Sequence, residues 1–530
     1  MLAGLGPPRY TSGRVNTLAS IRARLAAERG TLVRDAAFPV ALCSPSGYRV
    51  AMSSLGFQTI YREIHAHPGF SADRAFLPDS PADLGSTRRP LVTYEHRRPV
   101  SEYPLVAFSI AYELELPGVL SVLSLSGLPL LASERSSHHP LVVAGGPLTF
   151  SNPLPLAPFC DILVLGEAEE TIHVLLDLAA CLPKDELLDR LSRLAGFFVP
   201  SRGGEPGAVA RAPEGRLPAY SQIVTADTEL SEMFLVEPER GCSRGCGYCV
   251  MRRTTNGGMR SLPAGRVLSL VPPDASRVGL VGAAVTDAPC LPDLLRALVA
   301  AGKEVGVSSL RADQLDAEIV GLLTRGGARS LTTAADGASE RLRRALDRKT
   351  SEADLLRAAK LAREAGLSHV KFYLMAGVPG ETDADLDEFC GLGREISKVI
   401  PLVVAVSPFV AKRNTPMDGA PFEPIPSLRE KIGRLATGLR GRAEIRAASA
   451  RWAWIEYLLA QCGPEAGFAA LSAWREGGSF SAWKRAVARH GLTPHEAKRV
   501  PDGRLRPPAL ARWPSVGAKL SPVTPRGGAC

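Results

Sequence analysis

The sequence predicts an α/β chain: an open parallel sheet covered on both faces, then a partial barrel of six β/α units, then a helical C-terminal segment. Three observations predict it. In the first part, strands that are apolar throughout alternate with amphipathic helices, as in a parallel sheet buried on both sides. From residue 233 onward, six strand-like runs recur at helix-plus-strand intervals, the spacing of a β/α barrel. A Pro- and Gly-rich stretch separates the two series.

Taken in order, residues 1–47 read as an N-terminal extension with one helix over 16–28, marked by the Ile21 and Leu25 spacing. A first domain over 48–185 opens on a short strand at Tyr48 to Met52. A helix follows that puts Phe57, Ile60, Tyr61 and Ile64 on one face. Strands are expected at Leu105 to Ile110, Pro140 to Pro147 and Asp161 to Leu165, with helices at Gly118 to Ser126 and Ala168 to Cys181. Residues 186–231 are the connector, and 232–425 the barrel. Its strands are expected at Met233, Val278, Glu304, Arg329, His369 and Leu402. Residues 426–500 read as helical, and 501–530 as a disordered tail rich in Pro and Gly.

Composition narrows the function classes. A chain of 530 residues with 45% hydrophobic and 22% charged residues is that of a globular protein with several cores. The start, Met1 to Arg9, lacks the pattern of a secretory signal, and no apolar run approaches a membrane span, so a cytoplasmic protein is expected. Ten cysteines are too sparse for a disulfide scaffold. The net charge of +9 is uneven: from residue 426 on, 18 Lys and Arg face 7 Asp and Glu. That basic end is a solvated face or a surface for an acidic partner such as RNA.

The chemistry centres on Cys242-Ser243-Arg244-Gly245-Cys246-Gly247-Tyr248-Cys249, directly after the first barrel strand. Three thiolates on one short loop can each hold one iron of a four-iron cluster, leaving the fourth iron open to a small molecule. Structural zinc needs a fourth ligand. The next Cys is Cys290 and the next His is His369, so none is local.

C-x3-C-x2-C with an aromatic before the last Cys resembles the signature of the radical S-adenosylmethionine (SAM) superfamily. The resemblance implies a 4Fe-4S cluster on Cys242, Cys246 and Cys249, with SAM bound at the fourth iron and cleaved reductively to a 5′-deoxyadenosyl radical. It also implies a one-electron reductant of flavodoxin or ferredoxin type. The SAM contacts are then expected beside Tyr248 and at the strand ends, where barrel active sites lie. Thr286 and Asp287 follow the second strand, and Ser308, Ser309 and Arg311 the third, a guanidinium suiting a carboxylate. After the fourth, Ala335 to Arg344 resembles the family's E/Q-S-G-S segment, with Asp336 in place of Glu or Gln. Ser339 lies in it too, although these two residues also fit a turn and a helix cap. Gly377, Pro379 and Glu381 resemble the family's adenine-side G-x-P-x-E turn, and Pro408 follows the sixth strand.

The first domain, with Gly145-Gly146-Pro147 and Gly166-Glu167 at strand ends, is similar to that of the subgroup carrying a Rossmann-like cobalamin-binding-type domain before a TIM-like radical SAM barrel. The resemblance runs from about Pro7 to about Ala488 and implies that cobalamin contacts those five residues above the barrel mouth. There is no D-x-H-x-x-G, the motif whose His ligates cobalt from below, so a domain that only braces the barrel stays open. The expected function is cobalamin-dependent methylation of an unactivated carbon. The alternatives are a radical rearrangement or methylthiolation of RNA or protein without cobalamin, and a non-catalytic iron-sulfur or zinc scaffold that binds nucleic acid.

Overall fold

The computed structural model describes residues 18–79, 90–251, 258–308 and 310–492; the expected disordered tail and Ser309 lie outside them. The described residues form two compact units, one of 18–231 with Cys462–Leu492 and one of Glu232–Gln461.

The first unit is a six-stranded sheet of β1 (Phe38–Gly47), β2 (Phe70–Leu77), β3 (Leu105–Ser109), β4 (Leu141–Gly145), β5 (Ile162–Val164) and β6 (Phe197–Phe198). The order is β2-β1-β3-β4-β5-β6, parallel except for β6 against β5. Helices Leu55–Ala66, Leu116–Leu125 and Thr171–Cys181 stand where the apolar spacing put them. They bury Phe57, Tyr61, Leu120, Leu123, Leu175 and Leu176.

Strands β1 and β2 both escape the sequence pattern. The strand expected at Tyr48 to Met52 is a helical turn, Tyr48–Ala51, and the strand itself is β1 just before it, inside the expected extension. Two prolines disguise β1. Pro39 stands at its second position and Pro45 in the register shift between Ser44 and Gly47, both places where a missing N–H does least damage to the ladder. Strand β2 is disguised by charge, since it buries Asp73 and Arg74. The fully buried Arg74 guanidinium is held by Glu28 at 2.7 Å and Glu95 at 2.6 Å, which satisfies a charge that would otherwise be excluded from an interior.

The expected connector is also built into this unit: it supplies helix Lys184–Leu191 and β6, and Ala210 exchanges backbone bonds with Leu165 and Glu167. Helices Pro464–Arg475 and Phe480–Arg489 return to it, with Trp474 Nε1 donating to Ser121 Oγ at 2.9 Å.

In the second unit, β7 (Met233–Val236) leads into a two-stranded antiparallel ribbon of β8 (Glu239–Arg240) and β9 (Arg260–Ser261). The remaining strands are β10 (Arg277–Leu280), β11 (Glu304–Val307), β12 (Ser330–Asp336), β13 (His369–Ala376), β14 (Leu402–Pro408) and β15 (Ala443–Ala447). They pair in parallel as β7-β10-β11 and β12-β13-β14-β15, and a Leu310 to Thr333 bridge joins β12 to the segment following β11. All six expected barrel strands are present. The seventh, β15, interrupts the region read as helical; it is an edge strand with a single strongly apolar residue, Ile445, so its pairing with β14 rather than its composition fixes it. Among the described residues no helix is long and apolar enough to cross a membrane.

Candidate functional site

The cysteine loop leaves the end of β8 and is pinned by backbone bonds on either side of its middle. Gly247 N donates to Leu346 O at 2.9 Å, and Met417 N donates to Gly247 O at 3.2 Å. Cys242, Cys246 and Cys249 are all partly buried on it. Burial pushes the Cys249 thiol up to about 11, and the neighbouring Cys246 and Cys242 thiolates push in the same direction. Among the described residues no three side chains converge on a single metal ion, and three thiols spread along one loop suit instead a cluster in which each sulfur holds a different iron.

Tyr248, Asp336 and Arg348 close the loop against the barrel. Tyr248 Oη donates to Asp336 Oδ2 at 2.7 Å, and Arg348 Nε pairs with the same oxygen at 2.8 Å. Asp336 ends β12 in a tight turn, with φ of 62° and Gly337 N donating to Ala335 O at 2.8 Å. That conformation is disfavoured for a residue with a side chain, so the two bonds to its carboxylate hold it there. The Arg348 guanidinium also donates to Ala334 O at 3.3 Å. Arg348 follows the strand by a helix and lies in no motif, which is why the sequence alone does not find it.

Asp287 and Arg311 are brought together, but with each other. Arg311 bonds Asp287 and Asp313, Arg244 pairs with Asp313 at 2.7 Å, and Ser243 bonds Asp287. Thr286 Oγ1 accepts from the Arg311 backbone N–H at 3.2 Å. This network ties the cysteine loop to the ends of β10 and to the segment after β11, and it occupies the guanidinium that was expected to meet a carboxylate. Asp313 and Arg244 join the site only through it.

Ser339 caps helix Glu340–Ala345, accepting from Leu342 N at 3.1 Å, and it is fully buried. Its hydroxyl also donates to Asp385 Oδ1, so within the protein it serves both as a cap and as a donor. In the Gly377 to Glu381 turn, Glu381 Oε2 accepts from Gly377 N at 2.7 Å, while Pro379 is partly exposed at its tip. Pro408 ends β14 in register with Ala376, so both stand at the same rim. Glu239, just before the cysteines, is fully buried; its Oε1 accepts from Ala284 N at 2.8 Å, and burial pushes its carboxyl up to about 7.

In the first unit, the order 2-1-3-4-5 puts a topological switch between β1 and β3, and ligands of open α/β sheets bind outside the carboxyl ends there. Glu115 links the two loops that flank it. Its Oε1 accepts from Ser46 Oγ at 3.0 Å and its Oε2 from Ala111 N at 2.6 Å. Gly145 and Gly146 lie at the neighbouring strand end, partly exposed, with Pro147 exposed beside them. Gly146 has φ of 109°, and a Cβ on it would stand 2.5 Å from Ile110 O, so it is required by packing onto the β3 loop. Gly166 and Glu167 are turned to a different use: Gly166 packs on Ala210, and Glu167 Oε2 accepts from Ala212 N at 2.7 Å. Both are buried under the returning chain.

Two families match the sequence: radical SAM proteins, N-terminal, over residues 56–200, and the radical SAM superfamily over 236–392, together more than half of the chain. An uncharacterised protein of Methanocaldococcus jannaschii is 29% identical over 304 residues, which is 55% of this chain and 64% of that one. The chain thus spans less than two thirds of that relative's length. Among solved structures, the radical SAM methyltransferase TsrM of Kitasatospora setae, with cobalamin and a 4Fe-4S cluster bound, aligns over 85% of this chain and 99% of its own. The TM-score is 0.53 at 15% identity, a likeness of fold.

Proposed function

We propose, from the premise that this chain belongs to the radical SAM superfamily, that it methylates an unactivated carbon of its substrate in a cobalamin-dependent reaction. Membership itself implies a 4Fe-4S cluster and SAM. In this reading Cys242, Cys246 and Cys249 hold the cluster. Tyr248, Asp336 and Arg348 keep their loop in one conformation, and so does the network of Arg244, Asp287, Arg311 and Asp313. The rim formed by the Gly377 to Glu381 turn and Pro408 borders the adenine side of SAM. When bound, the cluster supplies the electron that cleaves SAM to a 5′-deoxyadenosyl radical, and the corrinoid supplies a transferable methyl group. A flavodoxin- or ferredoxin-type donor provides the electron from outside.

The cobalamin part is carried by one observation. The first unit has the strand order whose switch point accepts a ligand, in a chain whose fold is similar to that of a cobalamin-bound methyltransferase. The loops Ser44 to Gly47 and Ile110 to Glu115, with Gly145, Gly146 and Pro147 beside them, form its border. The chain contains no D-x-H-x-x-G motif.

The test is anaerobic reconstitution with iron and sulfide, followed by incubation with hydroxocobalamin and gel filtration. Stoichiometric corrinoid retention, together with deoxyadenosine release from SAM under reductant, is the expected result. Release of deoxyadenosine without corrinoid retention removes the methyl-transfer reading, and a protein that takes up no iron removes the whole of it.

A further inference from the structure

Strand β13 has two unlike faces. Val370, Phe372, Leu374 and Ala376 are almost wholly buried, whereas Lys371, Tyr373 and Met375 between them are partly exposed. In a β/α barrel the flanking helices cover the outer face, so the alternating set of Lys371, Tyr373 and Met375 lines the concave one.

Lys371 Nζ donates to Tyr373 Oη at 3.2 Å and lies 4.7 Å from the centre of that ring. Among the described residues no carboxylate forms an ion pair with it. Glu444, the carboxylate in register with Val403 on the adjoining strand, is bound by Arg446 at 2.7 Å. A partly dry ammonium with a phenol as neighbour has lost water without gaining a counter-charge, an arrangement that favours an anion.

A cavity of about 240 Å³ lies along the neighbouring strands β11 and β12, and its lining reaches Thr332, the register partner of Lys371, while Lys371 and Tyr373 themselves stand beside it on β13. Ser308 Oγ, in that lining, is buried without a hydrogen-bond partner among the described residues. Depth along the barrel also agrees. The register shifts between Ala334 and Asp336, so Asp336 stands opposite Leu374 and Tyr373 lies one residue below the level of the carboxylate that Tyr248 and Arg348 share.

We propose that Lys371 and Tyr373 form a subsite for an organic carboxylate on the substrate. Lys371 supplies the charge and Tyr373 a neutral O–H donor, one to each oxygen. One cation and one phenol suit a singly charged, two-oxygen group better than a phosphate, which proteins usually meet with several cations or a helix N-terminus. Held there, the substrate extends toward the strand ends with its reacting carbon uppermost. That orientation rests on the radical SAM reading, but the binding of the carboxylate does not.

The experiment is a fluorine NMR titration of the full-length, reconstituted protein with 4-fluorobenzoate and with its neutral isostere 4-fluorobenzamide. The benzoate is expected to bind about tenfold or more tightly than the amide, the worth of a charge-assisted hydrogen bond. Lys371→Met and Lys371→Gln should each abolish that preference, and Lys371→Arg should retain most of it. Tyr373→Phe should reduce it about threefold, as expected for one neutral hydrogen bond. Equal binding of the two probes, no binding of either, or an unchanged preference in both neutral Lys371 variants overturns the proposal. If one neutral variant does not fold, the other and the native comparison decide. Deoxyadenosine release by the native protein is read separately, so its absence sinks the radical reading and leaves the subsite to the titration.

Discussion

Tyr248 donates its phenolic hydrogen to Asp336 across 2.7 Å, so the aromatic residue of the cysteine loop is bonded to the end of a strand 88 positions away. Arg348 pairs with the same carboxylate, and the backbone bond from Gly247 N to Leu346 O holds the loop beside it.

Removing that clamp should unseat the cluster. Arg348→Met leaves Asp336 largely buried without its cation, a loss of about 3 kcal/mol for a broken buried pair. Iron per chain after anaerobic reconstitution should fall to less than half of native. Arg348→Lys keeps the charge and should fall between the two. Native iron content in Arg348→Met would show that the loop does not need the clamp.

Ser339 gives a cleaner separation of structure from binding. Ser339→Ala removes a helix cap and a buried hydrogen bond to Asp385, together about 2 kcal/mol, to be read from a denaturant midpoint, and the KM for SAM should stay within about twofold of native. A KM raised tenfold with an unshifted midpoint would mean that the hydroxyl meets SAM after all.

Gly146→Ala tests the packing role of the glycine pair. A left-handed backbone and a Cβ 2.5 Å from Ile110 O should together destabilise the first unit by about 2 kcal/mol or more, visible as a lowered unfolding temperature without any corrinoid present. An unfolding temperature equal to native would show that packing against Ile110 does not require this glycine.

Glu115 predicts a pH dependence. Burial pushes its carboxyl up to about 7 in the folded chain, above the ordinary value of 4.5, so the folded state holds a proton that the unfolded chain releases. Stability is then greatest below 4.5 as far as this group is concerned, and is lost as pH rises toward 7, by about 3 kcal/mol at most. Glu115→Gln should flatten that part of the unfolding profile, measured from pH 5 to 8. A slope identical to native over this window would assign the proton elsewhere.

The barrel strands were legible because each is a short apolar run bounded by turn residues, and the cysteine spacing was legible because a loop ligand set is local. What escaped was held by distant partners. In β2, Asp73 and Arg74 argue against a buried strand until Glu28 and Glu95, from segments far apart in the chain, surround the guanidinium. In β1, Pro39 and Pro45 argue against a central strand until the register places them at its start and at its irregular end.

The same division runs through the site. Alone, the amino-acid order determined the alternation of strands and helices, the three thiols, and the strand ends at which the candidate contacts gather. Only the folded chain decided that Arg311 is spent on Asp287 and Asp313, that Arg348 pairs with Asp336, and that Lys371 stands on the partly exposed face of its strand without a carboxylate partner among the described residues. Periodicity and turn chemistry act over a few residues and are written in the order of side chains. Charge pairing and cavity shape depend on which strands become neighbours, a choice made by the burial energy of the whole sheet.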